Sequence, residues 1–220
     1  MNSHLRNDSS SEKRVLEMRS VAILATDGVE LDELLHGRQA LSRAGAHCLV
    51  VGPKPGRILG FRQFEMAGEH WVESPLDAVD AGEFDALFVP GGTWHADALR
   101  ATKSAVSFVQ RFAQRDKPIA VLGHAVSLLV EADLVEGHDV SGAPSLRTDL
   151  ENAGGRFIDR DVVADGSLLS GRAVPAFYAT MIERFAHTPA PLGSIIPDFL
   201  ARLLPGTRRS QPASDDSAAR

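Results

Sequence analysis

An α/β domain built on a mostly parallel sheet is the fold class predicted by this 220-residue chain. Three observations predict it. Apolar runs of four or five residues recur between positions 20 and 186. Segments with helical periodicity fall between those runs. Glycine or proline stops the second and third of them. Strand–helix alternation of this kind implies parallel strands covered by helices.

Val21-Ala22-Ile23-Leu24-Ala25 reads as the first strand, apolar on both faces as a covered parallel strand must be. Residues 31–44 read as a helix whose apolar face is Leu34, Leu35, Ala40 and Leu41, with Gly45 ending it. Cys48-Leu49-Val50-Val51 is the second strand, stopped by Gly52-Pro53. Ala86-Leu87-Phe88-Val89 is the third, stopped by Pro90-Gly91-Gly92. A helix follows over residues 105–114, with Val106, Val109 and Phe112 inward. Ile119-Ala120-Val121-Leu122 is the fourth strand, and residues 125–132 the next helix. Weaker patterns place strands near Val140, Val162 and Leu168, and helices over 146–153 and 175–185.

Flanking this domain (residues 20–186) are a polar arm over 1–19, predicted to be disordered, and a carboxyl-terminal stretch over 187–220. That stretch opens on His187-Thr188-Pro189-Ala190-Pro191. Ile195, Ile196, Phe199, Leu200, Leu203 and Leu204 then recur at helical spacing within Ser194 to Leu204, and a polar tail follows. Net charge is −6, with 23 basic and 29 acidic residues, which argues against nucleic acid as a partner. The amino-terminus lacks a signal-peptide core and no run is long enough to span a bilayer, so a cytoplasmic protein without a membrane partner is expected. The lone cysteine, Cys48, excludes an intrachain disulfide and any CxxC motif. It sits in an apolar strand, where a thiol behaves as a small hydrophobe. His36, His47, His70, His95 and His138 have no metal-ligand spacing. No metal and no cofactor are expected.

In parallel sheets, sites form beyond the carboxyl ends of the strands. That rule selects Asp27-Gly28-Val29-Glu30, Pro90-Gly91-Gly92-Thr93-Trp94-His95 and Gly123-His124-Ala125. If the first, third and fourth strands are neighbours, a carboxylate, a glycine turn and an imidazole converge there. Gly91-Gly92 either ends a strand or presents backbone N–H groups to an oxyanion. Leu122-Gly123-His124 reads as a strand-to-helix elbow, but glycine carries no nucleophile. His124 is a base, a donor or a ligand, or else a helix-start histidine bonded to backbone. Glu30, Asp32 and Glu33 suit a helix N-terminus without any other role, and Asp97 reads as a cap of the helix after Gly91-Gly92. A joint site of Glu30, His95 and His124 depends on the assumed strand order.

Ala25-Thr26-Asp27-Gly28-Val29-Glu30-Leu31-Asp32-Glu33-Leu34, Val51-Gly52-Pro53-Lys54-Pro55-Gly56 and Phe84-Asp85-Ala86-Leu87-Phe88-Val89-Pro90-Gly91-Gly92 resemble the ThiJ/PfpI superfamily, especially its PfpI intracellular protease/amidase branch. The likeness continues through Lys117-Pro118-Ile119-Ala120, Pro144 to Gly154 and Val162 to Gly166. It implies a flavodoxin-like three-layer sandwich, shared with class I glutamine amidotransferases, and a homodimer or larger assembly. It also implies that Glu30 is the acid that hydrogen-bonds a reactive cysteine, that Gly91 and Gly92 contribute to an oxyanion hole, and that Asp97 approximates an acid lent across a dimer interface. The elbow departs from the family. Where relatives have Ile-Cys-His-Gly-Pro, this chain has Leu122-Gly123-His124-Ala125-Val126. Gly123 takes the place of the cysteine, to which family peptidase/amidase, glyoxalase and deglycase activities are attributed. The loop at Gly171-Arg172-Ala173-Val174-Pro175 is also shorter than in many relatives.

Two functional expectations follow. In one, the protein is a catalytically degenerate member that binds a small carbonyl or amide ligand through Gly91, Gly92, Gly123 and Asp97, binds a partner, or serves as an oligomeric scaffold. In the other, Glu30 and His124 activate water for hydrolase or lyase chemistry. The segment from Ser194 is expected to dock on its own core, another subunit or a partner.

Overall fold

Alternating side chains on four short apolar strands build the centre of one sheet and feed two separate cores. The computed structural model describes residues 14–187. The strands are β1 (Ser20–Leu24), β2 (Val29–Glu30), β3 (His47–Gly52), β4 (Gly56–Arg62), β5 (Glu65–Val72), β6 (Ser74–Pro75), β7 (Ala86–Val89), β8 (Ile119–Leu122), β9 (Asp139–Val140), β10 (Arg156–Phe157), β11 (Val162–Asp165) and β12 (Leu168–Gly171). The helices are α1 (Leu31–Arg43), α2 (Thr93–Arg100), α3 (Lys103–Ala113), α4 (Val126–Glu131), α5 (Arg147–Asn152) and α6 (Pro175–Ala186). Seven strands form the main sheet in the order β11-β12-β8-β7-β1-β3-β6. All pairs in it are parallel except β11 with β12.

Because strand side chains alternate, Val21 and Ile23 of β1 join Ala86 and Phe88 of β7 on one face, under Leu31, Leu34 and Leu41 of α1 and Phe177, Met181 and Phe185 of α6. Ala22, Leu24, Leu87 and Val89 face the other way, onto Leu99, Phe108, Val109, Phe112, Leu128 and Leu150. The result is the expected three-layer α/β sandwich with a mostly parallel central sheet.

Several local features differ from the sequence pattern. Leu35 is 44% exposed, because α1 turns Leu31, Leu34, Gly37 and Leu41 inward instead. Asp97 does not cap α2. The helix starts at Thr93 directly after Gly92, which leaves Asp97 exposed in its middle. Residues 14–19, assigned by composition to the arm, pack on the domain: Leu16 is fully buried and its N–H donates to the Ala44 carbonyl at 2.8 Å. The rest of the arm and the segment Ser194 to Leu204 lie outside the described residues. No helix among the described residues is long and apolar enough to cross a membrane.

A second sheet, β2-β4-β5, has no counterpart in the apolar pattern of the sequence. Its hairpin lacks a clear apolar alternation because Gly60 and Gly68 occupy inner-face positions against the Leu31 side chain. Backbone and carboxylate bonds tie this hairpin to the turn after β1. Gly28 N–H donates to Leu59 O at 2.9 Å, and Leu59 N–H donates to Asp27 Oδ1 at 2.8 Å.

Candidate functional site

The assumed strand order holds: β1, β7 and β8 are consecutive neighbours, so their carboxyl-end turns lie side by side. The turn after β7 is drawn against the start of α1, where Glu30 N–H donates to the Gly91 carbonyl at 2.9 Å. Gly92 lies in the left-handed region at φ 119°, and a Cβ there would meet the Gly28 carbonyl oxygen at 2.3 Å. Only glycine fits so close an approach of two backbones.

Glu30 is the N-cap residue of α1, but its side chain makes no cap bond. Its Oε1 instead accepts from the Gln63 N–H at the hairpin tip, at 2.8 Å. Asp32 also reaches the hairpin, accepting from Arg62 Nε and Nη2 at 2.7 and 2.8 Å. That Arg62 hydrogen bond holds the Asp32 carboxyl below the usual carboxylate value. The carboxylate that reaches the glycine turn is Glu33. Its Oε2 accepts from the Gly91 N–H at 2.6 Å. A side chain on Gly91 would meet that oxygen at 2.6 Å and the Leu122 carbonyl oxygen at 3.2 Å, so the Glu33 carboxyl and the backbone entering the elbow both crowd Gly91. Burial pushes the Glu33 pKa up from 4.5 to about 7, the Gly91 hydrogen bond opposes the rise, and the Glu30 charge adds to it. Tyr178 of α6 is coupled to the same acids: burial, then Glu33 and Asp32, raise its pKa.

By sequence alone Glu33 merely suits a helix start. Its signal was available in the chain, because it lies three residues past Glu30 and therefore on the same helix face. What separates the two is the hairpin, which takes the carboxylate of Glu30 and leaves Glu33 to the site.

The elbow keeps its shape without a side chain. Gly123 has φ 55°, in the left-handed region, and a Cβ built there meets nothing within 4 Å. Its carbonyl accepts from Ala143 N–H at 3.1 Å, which brings the loop before α5 against the elbow. His124 follows, half-buried, and burial lowers its pKa. Its Nε2 is 3.4 Å from Ser145 Oγ. His95 does not share this open space. It is fully buried on α2, and burial drives its pKa down to about 4.

Cys48 lies on β3. Its Sγ faces the Ser42 hydroxyl at 3.8 Å, and burial pushes the thiol up to about 11. A thiol held neutral in this way is a poor nucleophile.

Comparison with known proteins agrees with this architecture. The chain matches the DJ-1/PfpI family over residues 19–185. It is 32% identical over 163 residues to a deglycase of Thermococcus kodakarensis, covering 74% of this chain and 95% of that one. It is 30% identical over 164 residues to protein/nucleic acid deglycase 2 of Escherichia coli, covering 72% and 93%. Among solved structures, a two-domain protein of Anabaena variabilis with DJ-1/ThiJ/PfpI-like and ferritin-like domains gives a TM-score of 0.72 at 28% identity. That match covers 80% of this chain, which spans only half, 50%, of the larger protein. A DJ-1 superfamily protein of Salmonella typhimurium shares the fold at a TM-score of 0.68 and 22% identity, covering 84% of this chain and 97% of that one. With the family match running from the strand before the turn at Glu30 into α6, the chain belongs to the DJ-1/PfpI family.

Proposed function

We propose that this protein receives a small carbonyl or amide ligand above Gly123 without forming a thiol adduct, and so lacks the cysteine chemistry named for some of its relatives. The observation that carries the reading is Gly123 itself. An elbow in the left-handed conformation, with open space where a Cβ would stand, frames a site and supplies no nucleophile. The chain's only cysteine is on another strand with a raised pKa. The His124 imidazole stands beside that space, and the Glu33 carboxyl sits at the neighbouring glycine turn, bound to the Gly91 N–H.

Amide N–H chemical shifts in a titration with acetamide or dihydroxyacetone test it. Saturable shifts clustered at Gly91, Gly123 and His124 are expected. Deglycase, glyoxalase and amidase assays should stay at background. Turnover in any of those assays that survives Cys48→Ala would overturn the reading, as would shifts confined to other regions.

The protein acts, in this reading, as a homodimer or larger assembly. Phe64 and Met66 on the hairpin are 85% and 67% exposed, and Trp71 and Trp94 are each 60% exposed, which leaves apolar surface for a second copy. A monomeric mass by light scattering at micromolar concentration would dispose of that part.

A further inference from the structure

Beside the elbow, a hydroxyl and an imidazole meet on two different segments, and the hydroxyl has no part in the ligand reading above. The loop between β9 and α5 is clamped at three points. Ser141 N–H donates to Ser170 Oγ at 2.9 Å, Ser141 Oγ donates to the Arg160 carbonyl, and Ala143 N–H donates to the Gly123 carbonyl at 3.1 Å. Ser141 is fully buried, so the clamp is internal. The loop then turns through Pro144–Leu146 and presents Ser145, exposed to solvent, toward His124. The 3.4 Å separation of Ser145 Oγ and His124 Nε2 is long for a hydrogen bond. A small turn about the Ser145 Cα–Cβ bond moves Oγ enough to close such a gap, and nucleophile–base pairs are often loose without substrate.

We propose that Ser145 and His124 form a nucleophile–base pair that transfers acyl groups from small esters in the space above Gly123. Ser145 Oγ attacks the ester carbonyl carbon, forming a C–O bond, while its proton moves to His124 Nε2. The bond to the leaving alkoxide breaks, and the alkoxide takes that proton from His124. Water, deprotonated by His124, then attacks the acyl-serine, and the proton returns to Ser145 as the carboxylic acid departs. Several features of the pair suit this chemistry. Half-buried His124 has a lowered pKa, so its ring is neutral and can accept a proton at neutral pH. Gly123 next to it leaves room for the acyl group. Esters suit the pair better than amides because an alkoxide leaves with less proton assistance than an amine.

The proposal rests on the reading that small carbonyl compounds enter above Gly123, and the experiment separates the two. The full-length protein is treated with an alkyl fluorophosphonate, which forms a Ser–O–P bond with loss of fluoride, and the labelled peptide is identified by mass. Hydrolysis of p-nitrophenyl acetate is followed in parallel. Label on Ser145 is expected, with hydrolysis lowered about 100-fold or more in Ser145→Ala and His124→Asn. Partial recovery is expected in Ser145→Cys, and no change in Cys48→Ala. Wild-type protein that binds acetamide or dihydroxyacetone at the elbow, yet carries no label on Ser145, overturns the pair alone. Equal hydrolysis by Ser145→Ala does the same. Wild-type protein that binds neither ligand overturns the reading beneath it.

Discussion

Glu33 Oε2 and the Gly91 N–H are joined by a 2.6 Å hydrogen bond that crosses from the first helix to the turn after β7. That bond consumes a backbone donor at the glycine turn, and it buries a carboxyl group whose pKa rises from 4.5 to about 7. The site thus carries a carboxyl that changes charge near neutral pH.

Glu33 makes stability depend on pH. Its folded-state pKa lies above its unfolded value, so its contribution is most favourable below about 4.5 and is lost as pH rises through about 7. Glu33→Gln keeps an acceptor for Gly91 and removes the charge. Thermal melts of the variant and the wild type should therefore diverge between pH 5 and pH 8, with the variant gaining at pH 8 on the order of 2 kcal/mol. A constant difference across that range would show that Glu33 does not titrate there.

Gly123→Ala tests the elbow. The added methyl group meets no neighbour within 4 Å, so any loss comes from the backbone. A left-handed conformation costs a non-glycine residue roughly 1–2 kcal/mol. Urea denaturation should show a decrease of that size with an unchanged slope. A neutral outcome would mean that the elbow relaxes to another conformation.

Cys48 should alkylate slowly with iodoacetamide at pH 7.5, because its thiol is held near pKa 11. A second thiol placed by Gly123→Cys would stand in open space and react faster. Mass spectrometry of timed samples distinguishes the two positions. Faster labelling at Cys48 in the variant would contradict the geometry.

Lys117 reaches across from the start of β8 to the turn before β7. Its Nζ donates to the carbonyls of Ala81 and Gly82 at 3.0 and 3.1 Å, and to that of Phe84. Lys117→Met keeps the aliphatic stem and removes all three bonds. A loss of about 1–3 kcal/mol in denaturant-derived stability is expected. No loss would place these carbonyls in contact with water.

The main sheet was legible because a strand covered on both faces must be apolar throughout, as in residues 21–24, 86–89 and 119–122. The convergence of the three turns was legible from the strand-end rule once β1, β7 and β8 proved to be neighbours. The β4–β5 hairpin was not, because its inner face uses Gly60 and Gly68 where a pattern search expects side chains. The assignment of roles among Glu30, Asp32 and Glu33 depended on that hairpin. Gln63 and Arg62 capture two of the three carboxylates, and a pattern within one helix cannot reveal what a distant turn will claim. The Ser145–His124 contact joins residues 21 apart in the chain, through a loop held by backbone and serine hydroxyl bonds that leave no periodic signature.

The open, left-handed position at Gly123 also bears on heredity. Two of the four glycine codons become cysteine codons by a single base change, so one mutation can place a thiol-bearing Cβ at this elbow where it meets no neighbouring atom within 4 Å.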